Sequence, residues 1–212
     1  MDKHIRHAVG ANQHEQYTLI FDKQTVSGHY TYAFYVAADA TIKIDVLIAH
    51  ADVQINLECF LQGAGASATI RGIYNLSGTC NSAVKVLQHH QAAHTSSSVV
   101  IKGVLSDMAQ AHYHGTISID KAAHSVNASQ ENKNILLTDR ARVVSIPNLQ
   151  VLNNEVKCFH GSAIGSIDAQ QLLYAASRGI DEAVAKKLLL RAFLADVFNN
   201  NELHKKMELL IG

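Results

Sequence analysis

The sequence predicts a mainly β body followed by a small α-helical C-terminal unit, and three observations carry that expectation. From Tyr17 to Ile146 short apolar runs alternate with a period of two and recur roughly every 10–15 residues. Proline occurs once, at Pro147, so almost every backbone N–H can donate within a sheet. After residue 165 the side-chain period changes from two to about 3.6, the signature of helix.

The strand-like runs, in order, are "YTLIF", "YTYAFYV", "TIKIDVLI", "VQINLECFL", "ATIRGIY", "AVKVL", "SSVVIKGVL", "HYHGTISI", "NILL" and "RVVSI". In the third, Ile42, Ile44, Val46 and Ile48 alternate with Thr41, Lys43, Asp45 and Leu47; in the fourth, Val53, Ile55, Leu57, Cys59 and Leu61 alternate with Gln54, Asn56, Glu58 and Phe60. Strands of this length and spacing suit a sandwich, a barrel or a β-helix, and periodicity alone does not choose among them. No Asn-Gly or Asp-Gly hairpin signal joins adjacent runs, which favours parallel coils over a meander.

"VKCFH" (156–160) reads as one more strand, with Val156, Cys158 and His160 on one face and Lys157 and Phe159 on the other. "GSAIGS" reads as the turn that follows it, placing a boundary between a β core over 1–165 and a helical subdomain over 166–212. Asp168 then caps a short helix ended by Gly179, and Asp181 caps a second with a stripe of Val184, Leu188, Leu189, Ala192, Phe193 and Val197. A third helix is expected in "NELHKKMELLIG", through Leu203, Met207 and Leu210.

The 212 residues suffice for a substantial core, with 48% hydrophobic and 17% charged residues. Lys plus Arg (18) balances Asp plus Glu (18), which argues against nucleic acid as a partner. Cys59, Cys80 and Cys158 are odd in number, widely spaced and free of any C-x-x-C pair, a pattern suited to a reducing cytoplasm. The most apolar stretch, "AVAKKLLLRAFLADVF", is interrupted by charges, so no membrane span is expected.

Cys158 and His160 are the candidate site. A protonated imidazole beside a thiol lowers its pKa and favours the thiolate that binds iron or carries sulfur, although two ligands fall short of the usual four. His89, His90 and His94, and the pair His112 and His114, are read as exposed or hydrogen-bonded ladder histidines. "GAGASA" (63–68) has no Lys-Ser/Thr and opens no helix, so its glycines are turn residues and any ATP dependence belongs to a partner.

Three segments in order, "QHHQAAHTSSSVVIKGVLSDMAQAHYHGTISI" (88–119), "SQENKNILLTDRARVVSIPNLQVLNNEVKCFHG" (129–161) and "SIDAQQLLYAASRGI" (166–180), resemble the SufB/SufD family, scaffold subunits of the SUF iron–sulfur cluster assembly system. The resemblance implies a right-handed parallel β-helix followed by helices. "KCFHG" looks like the SufD version, since SufB proteins usually carry a glutamate-centred sequence there. It further implies that Cys158 and His160 lie at a SufB–SufD dimer interface and handle a transient cluster, with His160 matching the histidine implicated in assembly. The helices after Gly165 are implied to dock the ATPase subunit SufC, and Tyr174, Arg178, Gly179 and Ile180 are the candidate contacts. The chain departs from the family pattern in being short, without the N-terminal helical region of full-length SufD, and in carrying "NNEV" where many relatives have "DDV". A scaffold without catalytic residues, pairing with a SufB-like subunit or a second copy of itself, is the leading expectation. The alternatives are a self-associating structural module and an enzyme with Cys158 as nucleophile and His160 as base.

Overall fold

The computed structural model describes residues 2–198 and 201–211. Twelve strands form first: β1 (Asp2–Val9), β2 (His14–Phe21), β3 (Gly28–Val36), β4 (Thr41–Ala49), β5 (Val53–Leu61), β6 (Ser67–Leu76), β7 (Asn81–His90), β8 (Ser96–Leu105), β9 (Gln110–Ile119), β10 (Val126–Leu136), β11 (Arg142–Val151) and β12 (Val156–Gly165). Helices α1 (Ala169–Ser177), α2 (Glu182–Leu194) and α3 (Asn201–Ile211) follow. The odd strands make one six-stranded sheet in the order β1-β3-β5-β7-β9-β11, here sheet A; the even strands make the other, sheet B. Every pairing is parallel, so the chain alternates between two sheets and climbs one strand spacing per circuit, a parallel β-helix of about six turns.

Register explains the core. Residues of one parity point inward at each level, so Phe21, Ile48, Tyr74, Gly103, Asn134 and Ile164 stack in one interior row, and His7, Phe34, Cys59, Gln88, Ile117 and Leu149 in another. The middle coils bury their inward side chains almost completely, with Ile42, Ile44, Ile55, Leu57 and Leu61 inaccessible to solvent. Each such side chain contributes about 1.5–3 kcal/mol through burial. Turns between the sheets also stack: Asp39, Gly65 and His94 all adopt positive φ at equivalent places, and their N–H groups donate to the turn of the next coil. Gly63 has no room for a side chain because a β-carbon there would strike the backbone of Ala37 and Ala38, and the glycines of "GAGASA" are turn residues, with Ser67 and Ala68 opening β6.

The structure adds β1, which the sequence pattern does not announce, because "DKHIRHAV" places Lys3 and His7 at inward positions. It lengthens β10 from "NILL" back to Val126 and carries β12 through "GSAIG" to Gly165, so that segment is strand and not turn.

Helix boundaries follow the capping chemistry. Asp168 accepts a hydrogen bond from Gln170 N–H (2.8 Å) and Asp181 from Ala183 N–H (2.8 Å), while Gly179 ends α1 at φ 76°. The helices pack on the outer face of sheet B, where Leu47, Ile73 and Val104 meet Leu190, Leu194, Val197, Phe198, Leu203 and Met207. The buried stripe of α2 is therefore Ala185, Leu190 and Leu194; Val184 and Leu188, expected in the core, face outward. Leu210 lies outside the described side chains. Lys102, on the outer face of β8, fastens the contact: its Nζ donates to Phe193 O (2.7 Å) and to Asp196 Oδ1 (2.6 Å), and it lies 4.9 Å from the Phe193 ring centroid. Partial burial opposes ionisation of Asp196, yet the hydrogen bond and charge of Lys102 outweigh it and hold the carboxyl below its usual range.

Candidate functional site

β11 and β12 are the edge strands of the two sheets, and among the described residues no further coil stacks on them, so their inward side chains line an open end of the solenoid. Cys158 and His160 occupy it together. Cys158 stands beside Ala128 and His160 beside Gln130, at the tops of two interior rows, and both side chains share the inward face predicted from "VKCFH". Phe159, on the opposite face, is 60% exposed. The rest of the end is uncharged and largely apolar: Ser145, Pro147, Leu149 and Val151 continue the inward positions of sheet A, and Ser162 and Ile164 those of sheet B. Ser162 Oγ donates to Ser145 Oγ (2.8 Å), tying the two strands across the opening.

Cys158 packs beside Ile117, Ile119, Ala123, Val126 and Ala128. That partial burial pushes its thiol up from the ordinary value, opposite to the lowering expected from a neighbouring imidazole. Two residues apart on one strand, the side chains run side by side at about 6.5 Å instead of facing each other, which is poor geometry for a nucleophile and its base. Among the described residues no three His, Cys, Asp or Glu side chains gather to hold a metal ion. Cys158 and His160 thus place one thiol and one imidazole side by side at the open end, two donor groups where a metal or cluster usually takes four.

Below the opening the interior turns polar, which the sequence reading missed. Gln130, Asn132 and Asn134 of β10 point inward with Tyr74 and Tyr113. Tyr74 O–H donates to Asn134 Oδ1, Asn134 Nδ2 to Asn132 Oδ1 (2.8 Å), Asn132 Nδ2 to Ile101 O (3.1 Å) and Gln130 Nε2 to Gly115 O (3.1 Å). Gly103 is required here, because a β-carbon at that position would strike the Tyr74 ring and Asn134 Oδ1. Among the described residues the Gln88 Oε1 and Tyr113 hydroxyl oxygens find no hydrogen-bond partner. The sequence signal was the alternation of amides in "SQENKN", where polar residues hold the parity that apolar ones hold elsewhere.

The other histidines divide by direction. His89 points out and pairs with Asp120 (2.9 Å); His90 points in, bonded to Thr95 Oγ1 (2.7 Å) and Ser97 Oγ (2.8 Å). Burial, with a smaller contribution from His89, lowers His90 to a pKa of about 4. His94 meets His124 edge-on at 5.0 Å, and His112 and His114 share the exposed face of β9.

A second feature begins directly after β12. A groove of about 430 Å³ runs between α1 and α2, lined by Gln171, Tyr174, Arg178, Ile180, Leu188 and Leu189. Tyr174 is 63% exposed, and the Arg178 guanidinium lies over its ring at 5.3 Å and donates to its hydroxyl (3.3 Å). The candidate contacts Tyr174, Arg178 and Ile180 thus meet at one groove, with Gly179 making the turn between the helices. The outward Leu188 adds apolar surface there. No described helix is long and apolar enough to cross a membrane.

The SUF system FeS cluster assembly SufBD core domain matches residues 4–193. An iron-sulfur cluster assembly SufBD family protein of Mycobacterium tuberculosis is 32% identical over 171 residues, 76% of this chain and 43% of the relative. The iron-sulfur cluster assembly protein SufD of Escherichia coli is 27% identical over 193 residues, 89% of this chain and 45% of the relative, and that of Bacillus subtilis 34% over 105 residues, 49% and 24%. The chain spans less than half the length of these curated relatives. Coverage of nearly the whole solenoid and both first helices by one domain shows that this chain belongs to the SufBD family of SUF-system iron–sulfur cluster assembly proteins, and within it is SufD-like.

Proposed function

We propose that the chain is a non-enzymatic scaffold subunit, acting in the cytoplasm, whose open last coil forms a subunit interface that handles sulfur, iron or a nascent cluster. The observation that carries this reading is the pairing of Cys158 and His160 on the inward face of an otherwise uncharged, unclosed end. The partner at that end is a SufB-like subunit or a second copy of this chain. The groove between α1 and α2, with Tyr174, Arg178, Gly179 and Ile180, docks a SufC-type ATPase. Because α1 starts four residues after β12, movement of a docked ATPase would act close to the interface.

Anaerobic reconstitution with iron and sulfide tests the site. Wild-type protein with its partner should develop cluster absorbance, and Cys158→Ser and His160→Ala should reduce it; spectra independent of both residues would refute the assignment. Co-purification with a SufC-type ATPase, weakened by Tyr174→Ala and Arg178→Ala, tests the groove. A Cys-dependent enzyme is disfavoured by the raised thiol and the parallel side chains, and selective labelling of Cys158 by an electrophile at neutral pH would revive it.

A further inference from the structure

The turns that carry the chain from sheet A to sheet B stack in a column along one edge of the solenoid, and two histidines meet there. His94 lies between β7 and β8 and His124 between β9 and β10, so they belong to successive coils. His94 N–H donates to His124 O (2.9 Å), and the two rings stand edge-on, with 5.0 Å between centroids and 84° between planes. Both residues are exposed. Neither belongs to the open end or to the groove between α1 and α2.

The separation is that of a chelate. A cation about 2.0–2.1 Å from one nitrogen of each ring lies about 3.2 Å from each centroid, so the centroids stand about 4.5 Å apart for a right angle at the metal and about 5.2 Å for a tetrahedral one. The observed 5.0 Å falls between these limits. Edge-on, one ring points at the face of the other, and turning one of them about its Cβ–Cγ bond, a broad and soft torsion, brings a nitrogen of each to one point. His124 is already prepared for this: its Nδ1 lies 3.3 Å from Ser125 Oγ, so a proton on Nδ1 has an acceptor and Nε2 keeps its lone pair for a metal.

The column places a carboxylate on either side of the pair. Asp39, Gly65 and His94 occupy equivalent turn positions of three successive coils, all at positive φ. A β-carbon on Gly65 would strike Asp39 Oδ1, so the Asp39 carboxylate fills the side-chain place of the coil just below His94, and only glycine leaves that place open. Above, Ser125 N–H donates to Glu155 O (2.8 Å) as His94 N–H does to His124 O, which sets Glu155 in the turn that follows His124. Among the described residues these carboxylates flank the imidazoles without completing a three-donor cage. Lys121, on the same turn as His124, is exposed, so its ammonium can turn into water.

We propose that His94 and His124 bind one late first-row divalent cation, of the zinc and copper(II) class, with water in the remaining positions, and that the bound ion staples the turns of two successive coils. Paired imidazoles select these ions over magnesium and calcium, which take oxygen donors. His112 and His114 offer no such pair, because two positions apart on β9 their side chains run side by side at about 6.5 Å. The site is independent of the cargo-handling role proposed above.

Zinc titration by calorimetry at neutral pH tests it, in a Cys158→Ser, His160→Ala parent that lacks the donors of the open end. Binding should saturate at one zinc per chain with a micromolar dissociation constant. His94→Asn, which keeps a residue at ease in left-handed backbone, and His124→Ala should each weaken it about 10- to 100-fold. His112→Ala and His114→Ala should each change it less than about 3-fold. Saturating zinc should raise the urea midpoint of the parent and leave that of the His94 and His124 variants where it was. One equivalent of copper(II) should show two imidazole nitrogens by pulsed EPR in the parent and not in either variant. Affinity unchanged by His94→Asn or by His124→Ala, equal loss from His112→Ala, or half an equivalent of zinc per chain, the mark of a cation shared between two molecules, would overturn the chelate. Zinc that binds without raising the urea midpoint would overturn the staple.

Discussion

Replacing Lys102 with methionine keeps the aliphatic stem and removes the ammonium that joins the helices to the solenoid. The side chain is 8% exposed, whereas its partner Asp196 is 72% exposed and returns to water at little cost, so that ion pair contributes about 0–1 kcal/mol. The larger loss is at Phe193. Its carbonyl belongs to the last turn of α2, where no intrahelical donor remains, and losing its partner costs about 1–3 kcal/mol. The contact with the Phe193 ring adds about 0.5–1 kcal/mol. Lys102→Met should therefore loosen the helical unit by about 2–4 kcal/mol, which raises the opening frequency of α2 and α3 roughly 30- to 1000-fold in hydrogen exchange. Exchange in β4 to β8 should change far less, because the interior rows are untouched. Asp196→Asn should cost about 1 kcal/mol or less. A Lys102→Met protein whose α2 amides exchange as in wild type, or an Asp196→Asn protein as damaged as Lys102→Met, would refute this division of the energy.

Three more outcomes follow from the interior. His90 is neutral in the fold with a pKa lowered to about 4 against about 6.5 in the unfolded chain, so its contribution is fully present above about 6.5 and is lost as pH falls through about 4. The difference of about 2.5 units corresponds to at most about 3.4 kcal/mol, and His90→Gln should flatten the stability profile between those two pH values when unfolding is measured beside wild type. Gly103→Ala should destabilise by about 1–3 kcal/mol through its clash with Tyr74, and Tyr74→Leu in the same chain should recover part of the loss in urea unfolding. Cys59, pushed up to about 12 by complete burial, should resist thiol reagents at pH 8 in the folded protein and react once the chain is unfolded in urea, as peptide mapping would show.

The strands legible in the sequence were those whose inward parity is apolar. β4 and β5 read directly, since Ile42 to Ile48 and Val53 to Leu61 place aliphatic side chains in a dry interior. β1 and most of β10 escaped for one physical reason with two causes. In β1 the inward His7 is paired with Glu15; in β10 the inward amides satisfy one another, so apolar character was not needed. The site pair Cys158 and His160 was visible from spacing, but its thiol environment was not, because the apolar neighbours Ile117 and Val126 come from other coils. In α2 the sequence pattern put Leu188 and Leu189 in the stripe, whereas the register against Leu47, Ile73 and Val104 selects Leu190 and Leu194, a choice made by residues of other elements.

The helices settle over Leu47, Ile73 and Val104, outer-face residues of three different coils made long before the helices themselves. A solenoid held only by nearest-neighbour contacts can fray from either end one coil at a time. A strap laid across β4, β6 and β8 removes that freedom: those coils cannot separate without first shedding the strap. During synthesis the reverse holds, and three apolar side chains wait at the surface until α2 and α3 have been made. The folded protein gains cooperativity across these coils, and the nascent one carries a sticky stripe that α2 and α3 must cover.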